Sequence, residues 1–198
     1  MDTSIYLDKP AITELDIHPV IKQRWSPRSF DPNRKVGKEK IRRFIEAARW
    51  APSSFNEQPW RFIVGQKGDT TWDKLLDTMV EFNQRWAQNA DVLVMSLGKK
   101  TLTKNEKPNG TYRYDTGGSM AYMTFQAVAD GLSTHQMGGF SKEKAIEAFG
   151  IPDDLEPLTI IAIGYQDDPE KLDDDMRKTE LSTRTRIEPE SLVLAGEK

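Results

Sequence analysis

The sequence predicts an α+β fold with a central sheet flanked by helices. Strand-length apolar runs and amphipathic helical stretches are both present, but they do not alternate strictly as a doubly wound sheet requires. Long polar segments stand at both ends and read as arms, 1–16 and 166–198, on one domain covering 1–198.

The elements follow in chain order. After the first arm, Asp16 is a candidate cap for a short helix from Ile17 to Arg24, with Pro19 tolerated in its first turns. "RWSPRSFDP" (24–32) is too broken for a helix and too charged for a buried strand. Residues 38–50 read as an amphipathic helix with Ile41, Phe44, Ile45 and Ala48 on one face. Pro52 ends it by pushing Ala51 away from helical geometry. "SSFNEQPW" follows as a loop and "WRFIVG" as a strand. Residues 70–88 read as one helix with Trp72, Leu75, Leu76, Met79 and Val80 facing inward, and "DVLVMSLG" (91–98) as a second buried strand. The polar stretch 99–115, broken by Pro108, Asn109 and Gly110, reads as a long loop of the kind that serves as a lid. Residues 116–130 form a helix that is apolar nearly all round, which predicts burial on every side. "LSTHQMGGF" reads as a glycine-bearing loop. Ser141 caps a short helix to Phe149, closed by Gly150 and Pro152, and "PLTIIAIGY" (157–165) is a third buried strand. The tail opens with an acidic helix over 167–178 and closes with "STRTRIEPESLVL".

Composition narrows the function. The apolar share of 37% is low for a self-contained globule and the charged share of 30% is high, a balance that fits a chain burying part of itself against a second copy. A net charge of −3 argues against a nucleic-acid partner. The absence of cysteine excludes disulfides, thiol catalysis and thiolate metal sites. His18 and His135 are too few and too far apart in sequence for most metal sites, so no metal is expected. No apolar run reaches membrane-spanning length and no signal peptide opens the chain, so a cytoplasmic protein without a membrane partner is expected. Nucleotide-binding glycine motifs and a nucleophile elbow are missing. A chain with an elaborate loop set and no evident nucleophile commonly takes its chemistry from a cofactor.

Three segments in order carry a resemblance: "RWSPRSFDP", then "ARWAPSSFNEQPWRFIVG" after an amphipathic helix, then "GLSTHQMGGF" with "IAIGY". Together with the closing "STRTR" they resemble the FMN-dependent nitroreductase family over roughly residues 17–190. The first two motifs are specific in combination; "IAIGY" and "GGF" are weak alone.

The resemblance implies a nitroreductase-like, domain-swapped homodimer with an extended C-terminal arm. An FMN lies at each interface, the 116–130 helix is at the dimer core, and each tail embraces the other subunit. It implies that Arg24 and Ser26, flanking Trp25, hold the FMN phosphate, with Arg184 and Arg186 arriving from the tail. A phosphate dianion does call for forked guanidinium donors and hydroxyls. It places Arg28 at the flavin N1/C2-carbonyl edge, where a cation stabilises the charge that builds up on reduction. Asn56 bonds the pyrimidine edge, and Pro52, Ser53 and Ser54 shape the same wall. In the 135–139 loop, Gln136, Met137 and Gly139 flank Gly138, whose N–H faces flavin N5. The family often has an acidic residue at Gly138, so this departure bears on substrate preference.

No side-chain acid or base is assigned; the flavin carries the chemistry, and Arg28 and Gly138 tune it. The expected activity is ping-pong transfer of hydride from NADH or NADPH through FMN to a small acceptor such as a nitroaromatic, quinone or enone. Lys99, Lys100, Lys104 and Arg113 are candidates for reading a 2′-phosphate. The alternatives are an FMN storage or sensing protein and a specialised member that dehalogenates, cleaves flavin or oxidises azolines. Taken singly, Arg24 and Arg28 also read as solvated charges, Asn56 as a turn residue and His135 as a loop donor. The methionines of 116–130 and Trp60, Trp72 and Trp86 read as packing.

Overall fold

In the computed structural model, residues 7–196 are described. Residues 1–6 of the expected first arm and 197–198 of the tail lie outside them. Helices α1 (Pro19–Gln23) and α2 (Lys38–Arg49) precede strand β1 (Trp60–Gln66). Helices α3 (Thr70–Thr78) and α4 (Glu81–Ala87) lead to β2 (Val92–Lys99). Then come α5 (Tyr112–Ala129), β3 (Ser133–Met137), α6 (Lys142–Phe149), β4 (Leu155–Gly164) and α7 (Asp174–Leu181). The strands form one antiparallel sheet in the order β1-β2-β4-β3.

Side chains alternate across a strand, so each central strand feeds two cores. Leu93, Met95 and Leu97 of β2 and Ile160 and Ala162 of β4 join Trp72, Leu75, Trp86 and Met137 on one face. Val92 and Val94, with Ile161 and Ile163, join Phe44, Ala48, Met120 and Met123 on the other. Burial on both faces explains why β2 reads as an unbroken apolar run. Helix α3 packs closely on β1: a Cβ on Gly65 would lie 2.5 Å from the Trp72 backbone.

The three expected strands, the 38–50 helix and the capped helix after Ser141 stand where they are predicted, within a few residues. The Ser141 hydroxyl accepts the Lys144 N–H at 3.1 Å, and Gly150 closes α6 with a left-handed φ of 59°. Trp60, Trp72 and Trp86, like Met120 and Met123, are buried packing residues.

Five readings change. Residues 133–137 are a strand, not a loop, paired along β4. The 70–88 helix is two helices: Met79 turns extended and bridges to Phe140, and the Val80 N–H donates to the Gly139 carbonyl, leaving Val80 exposed. His18, not Asp16, caps the first helix, its ring nitrogen accepting the Val20 N–H at 3.3 Å. Helix α5 starts at Tyr112, four residues before the expected start; within the one chain its Tyr122 is exposed and joins Val20, Ala47 and Phe125 in an apolar groove of about 300 Å³. The acidic tail helix runs over Asp174–Leu181, later than predicted, after a single turn of 3-10 helix at Pro169–Lys171.

Candidate active site

The stretch 24–30 is held from three sides. Its Phe30 backbone bridges to Gln166, and the Ser29 hydroxyl donates to the Asp168 carbonyl at 2.7 Å. From β3, His135 Nδ1 lies 3.0 Å from the Pro27 carbonyl; the neutral tautomer protonated there donates to it. From α7, Glu180 Oε1 accepts the N–H groups of Arg28 (2.8 Å) and Ser29 (3.2 Å). Burial pushes the His135 pKa down to about 4, and the charges of Arg28 and Arg24 act in the same direction against the pull of the Pro27 carbonyl. His135 is therefore neutral at physiological pH.

Three guanidinium groups converge beside this loop. Arg24 donates to the Ser26 hydroxyl at 3.2 Å, which joins the two residues of the expected phosphate pair. Arg184 reaches back across the arm to the carbonyls of Lys9 (2.5 Å) and Lys22 (3.2 Å). Burial, then the charge of Arg186, lowers the Arg24 pKa; burial, then Arg24 and Arg186, lowers that of Arg184. Among the described residues no carboxylate pairs with any of the three. Both tail arginines thus lie near Arg24 within the one chain.

Helix α4 links the loop to the glycine turn. The Arg28 guanidinium lies 6.0 Å from the Phe82 ring centroid, and the next side chain, Asn83, donates to the Gly139 carbonyl at 3.0 Å. Arg28 Nε is buried without a hydrogen-bond partner. A Cβ on Gly138 would meet nothing within 4 Å, so that side of the turn is open space. Met137 is buried, whereas Gln136 is exposed and donates to the Thr124 hydroxyl at 3.2 Å. Trp25 is half-buried under the Lys9 ammonium, 4.7 Å from its ring centroid.

The loop carrying Pro52, Ser53, Ser54 and Asn56 lies elsewhere on the chain. No hydrogen bond or ion pair among the described residues joins it to the arginine cluster. Phe55, Asn56 and Gln58 have positive φ values of 53°, 55° and 50°, which costs non-glycine residues energy and occurs where surrounding structure imposes it. Here the restraint is visible: the Asp115 carboxylate accepts the Ser54 N–H (3.2 Å) and the Thr111 hydroxyl (2.9 Å), and Ser53 Oγ accepts the Gln58 N–H (3.0 Å). Phe55 is 95% exposed at the tip.

Sequence reasoning misses Glu180, Phe82, Asn83 and Asp115. Each sits on a helix, and nothing in the local pattern marks it as facing a loop. Among the described residues no group of three or more His, Asp or Glu side chains is placed to hold a metal ion, and no helix is long and apolar enough to cross a membrane.

Known proteins share this fold. A crystal structure described as an oxidoreductase containing FMN superposes with a TM-score of 0.82 at 35% identity, covering 88% of this chain and 90% of that one. A nitroreductase family protein from Clostridium difficile 630 superposes with a TM-score of 0.69 at 28% identity, covering 90% of this chain and 97% of that one. The major NAD(P)H-flavin oxidoreductase of Aliivibrio fischeri is 30% identical over 138 residues, 67% of this chain and 55% of that protein. The pattern of the nitroreductase family matches residues 21–85 and 66–165, most of the chain, and the chain belongs to that family.

Proposed function

We propose that this chain is an FMN-dependent oxidoreductase that takes hydride from NADH or NADPH and delivers it to a small acceptor such as a nitroaromatic, quinone or enone. The observation that carries the proposal is the proximity of Arg184 and Arg186 to Arg24, itself bonded to Ser26, with no carboxylate paired to any of the three among the described residues. Cations that repel one another in a partly buried cluster call for a multivalent anion, and a phosphate monoester supplies both the charge and the acceptors for forked donors. The buried, unpartnered Nε of Arg28 adds a donor awaiting an acceptor beside that cluster. These residues fit FMN.

FMN held here would supply the chemistry, carrying hydride from a nicotinamide to the acceptor by a ping-pong reaction. The protein orients it. Arg24, Ser26, Arg184 and Arg186 hold the phosphate, and Trp25 walls that end. Arg28 would place positive charge at the N1/C2-carbonyl edge, and the turn Gln136–Gly139 would offer the Gly138 N–H toward N5. Pro52, Ser53, Ser54 and Asn56 complete the pocket from a second copy, in a homodimer whose apolar centre includes the open face of α5. One domain with two arms performs this in the cytoplasm, where both nicotinamide cofactors are available. A generic reductase suits the open space at Gly138.

The test is anaerobic. The FMN-loaded protein is mixed with NADH or NADPH, bleaching at the flavin band is followed, and an acceptor panel is then added. Bleaching within seconds and re-oxidation by a nitroarene or quinone are expected. A flavin that bleaches only with dithionite would replace this reading with storage or sensing.

A further inference from the structure

Glu180 is a buried acid whose carboxylate faces the loop of Arg24 and Arg28, and none of the roles above uses it. It is 1% exposed, at the end of α7 and four residues before Arg184. Its Oε1 takes two successive amides of the loop, those of Arg28 and Ser29, while Oε2 is buried with no hydrogen-bond partner. Its backbone carbonyl accepts the Lys9 ammonium at 2.5 Å. A single residue therefore ties the tail, the N-terminal arm and the cofactor loop together.

We infer that Glu180 is a positioning residue of the cofactor site: its carboxylate fixes the backbone of Arg28 and Ser29, and through them the direction of the Arg28 side chain and the spacing of the loop from the tail arginines. The inference rests on the proposal that this loop holds FMN. Two adjacent N–H groups pointing the same way do not satisfy one another, and neither Arg28 nor Ser29 donates its amide anywhere else among the described residues. Without an acceptor on α7 these buried donors would each seek water, and the loop would have to shift to admit it. A leucine or methionine would fill the same volume more cheaply, because burial itself disfavours the ionised carboxyl. Burial pushes the Glu180 pKa up, against the downward pull of the Arg28 and Ser29 amides and the charges of Arg28 and Lys9. An ionisable side chain buried at that cost is explained by what it holds.

The position also links tail to cofactor. Glu180 fixes the end of α7, and the chain leaves it extended toward Arg184 and Arg186. Displacing Glu180 thus moves cations on both sides of the phosphate at once.

The experiment compares full-length wild type with Glu180→Ala and Glu180→Gln by two measurements: amide hydrogen exchange over residues 24–30, and FMN titration of the flavin-stripped protein. The Gln side chain keeps an acceptor oxygen, so it separates positioning from charge. In Glu180→Ala, exchange at Arg28 and Ser29 is expected to rise at least about tenfold while the β2 and β4 amides stay protected, and FMN affinity to fall at least about tenfold. Glu180→Gln is expected to restore both to within about threefold of wild type. If Glu180→Ala does not fold, Glu180→Asp, with its carboxylate withdrawn by one methylene, is expected to show the same two losses. Faster exchange with unchanged affinity would reduce Glu180 to a fold-stabilising residue and overturn the inference, as would unchanged exchange. A wild-type protein that binds no FMN would instead overturn the cofactor proposal, and the exchange data would still report on the clamp.

Discussion

A guanidinium whose Nε is buried without a partner, as in Arg28, is an unfinished interaction. At the N1 edge of a flavin, the place proposed for it, it would stabilise the negative charge gained on reduction. Arg28→Gln is therefore expected to lower the two-electron midpoint potential by about 20–60 mV, the equivalent of about 1–3 kcal/mol of lost charge stabilisation. Arg28→Lys is expected to stay close to wild type. Redox titration against a reference dye measures both, and an unshifted Gln variant would show that Arg28 points elsewhere. His135 gives a second prediction. Its folded pKa of about 4 lies below the ordinary value of 6.5. Between those values the unfolded chain binds more protons than the folded one, so stability falls as pH drops from 6.5 through 4. The full difference amounts to about 3 kcal/mol. Urea unfolding at pH 7 and pH 4 is expected to show this loss in wild type and to show it reduced in His135→Asn; equal losses in both would contradict the assignment. The residues proposed for this site stand out in the sequence because they are unusual where they stand: Arg24, Ser26 and Arg28 in one broken stretch, and Arg184 and Arg186 in "STRTR". Glu180 is not legible. It is one acid among several in an acidic helix, and only the packing of α7 separates it from its exposed neighbour Asp174.

At the scale of elements, the strained loop after α2 depends on one carboxylate. Asp115 is buried in the first turn of α5 and holds Ser54 and Thr111. Its loss leaves a loop with three positive-φ residues without its main tie. Asp115→Ala is expected to cost about 1.5–3 kcal/mol in urea unfolding, the range for hydrogen bonds to charged groups, and Asp115→Asn to recover most of it because the amide oxygen still accepts. An Ala variant within about 0.5 kcal/mol of wild type would show that the loop holds itself. The expected loop over 99–115 hides this tie, because the helix begins four residues before the apolar pattern does. Strand β3 is hidden for a related reason. Ser133, Thr134, His135, Gln136 and Met137 contain no apolar run, and an edge strand needs only one neighbour, so its pairing with β4 leaves little trace in composition. The split between α3 and α4 is likewise tertiary. The apolar spacing runs on through Met79 and Val80, and the break arises from backbone pairing with Phe140 and Gly139, far along the chain.

At the scale of the molecule, apolar surface remains to be covered. Tyr122 and Phe125 line an open groove on α5, and the tail ends with Ile187, Leu192 and Leu194 exposed. The proposed homodimer covers both. Truncation before Leu181 keeps Glu180 but removes Arg184, Arg186 and that apolar stretch. FMN retention is expected to be lost, and the dimer to weaken without vanishing, since each such side chain contributes about 1.5–3 kcal/mol when fully buried. Light scattering and the flavin-to-protein absorbance ratio read the two effects. A truncated protein that stays fully yellow and fully dimeric would contradict both roles of the tail. The central claim is that the arginine cluster recognises the phosphate of a bound flavin. Its most direct measurement is the dissociation constant of FMN against that of riboflavin, which lacks the phosphate, for wild type and Arg24→Ala. Wild type is expected to prefer FMN by at least about a hundredfold, and Arg24→Ala to lose about ten- to hundredfold for FMN alone, the equivalent of about 1.5–3 kcal/mol. Equal affinity for the two flavins in wild type, or an equal loss for both in Arg24→Ala, would contradict the account.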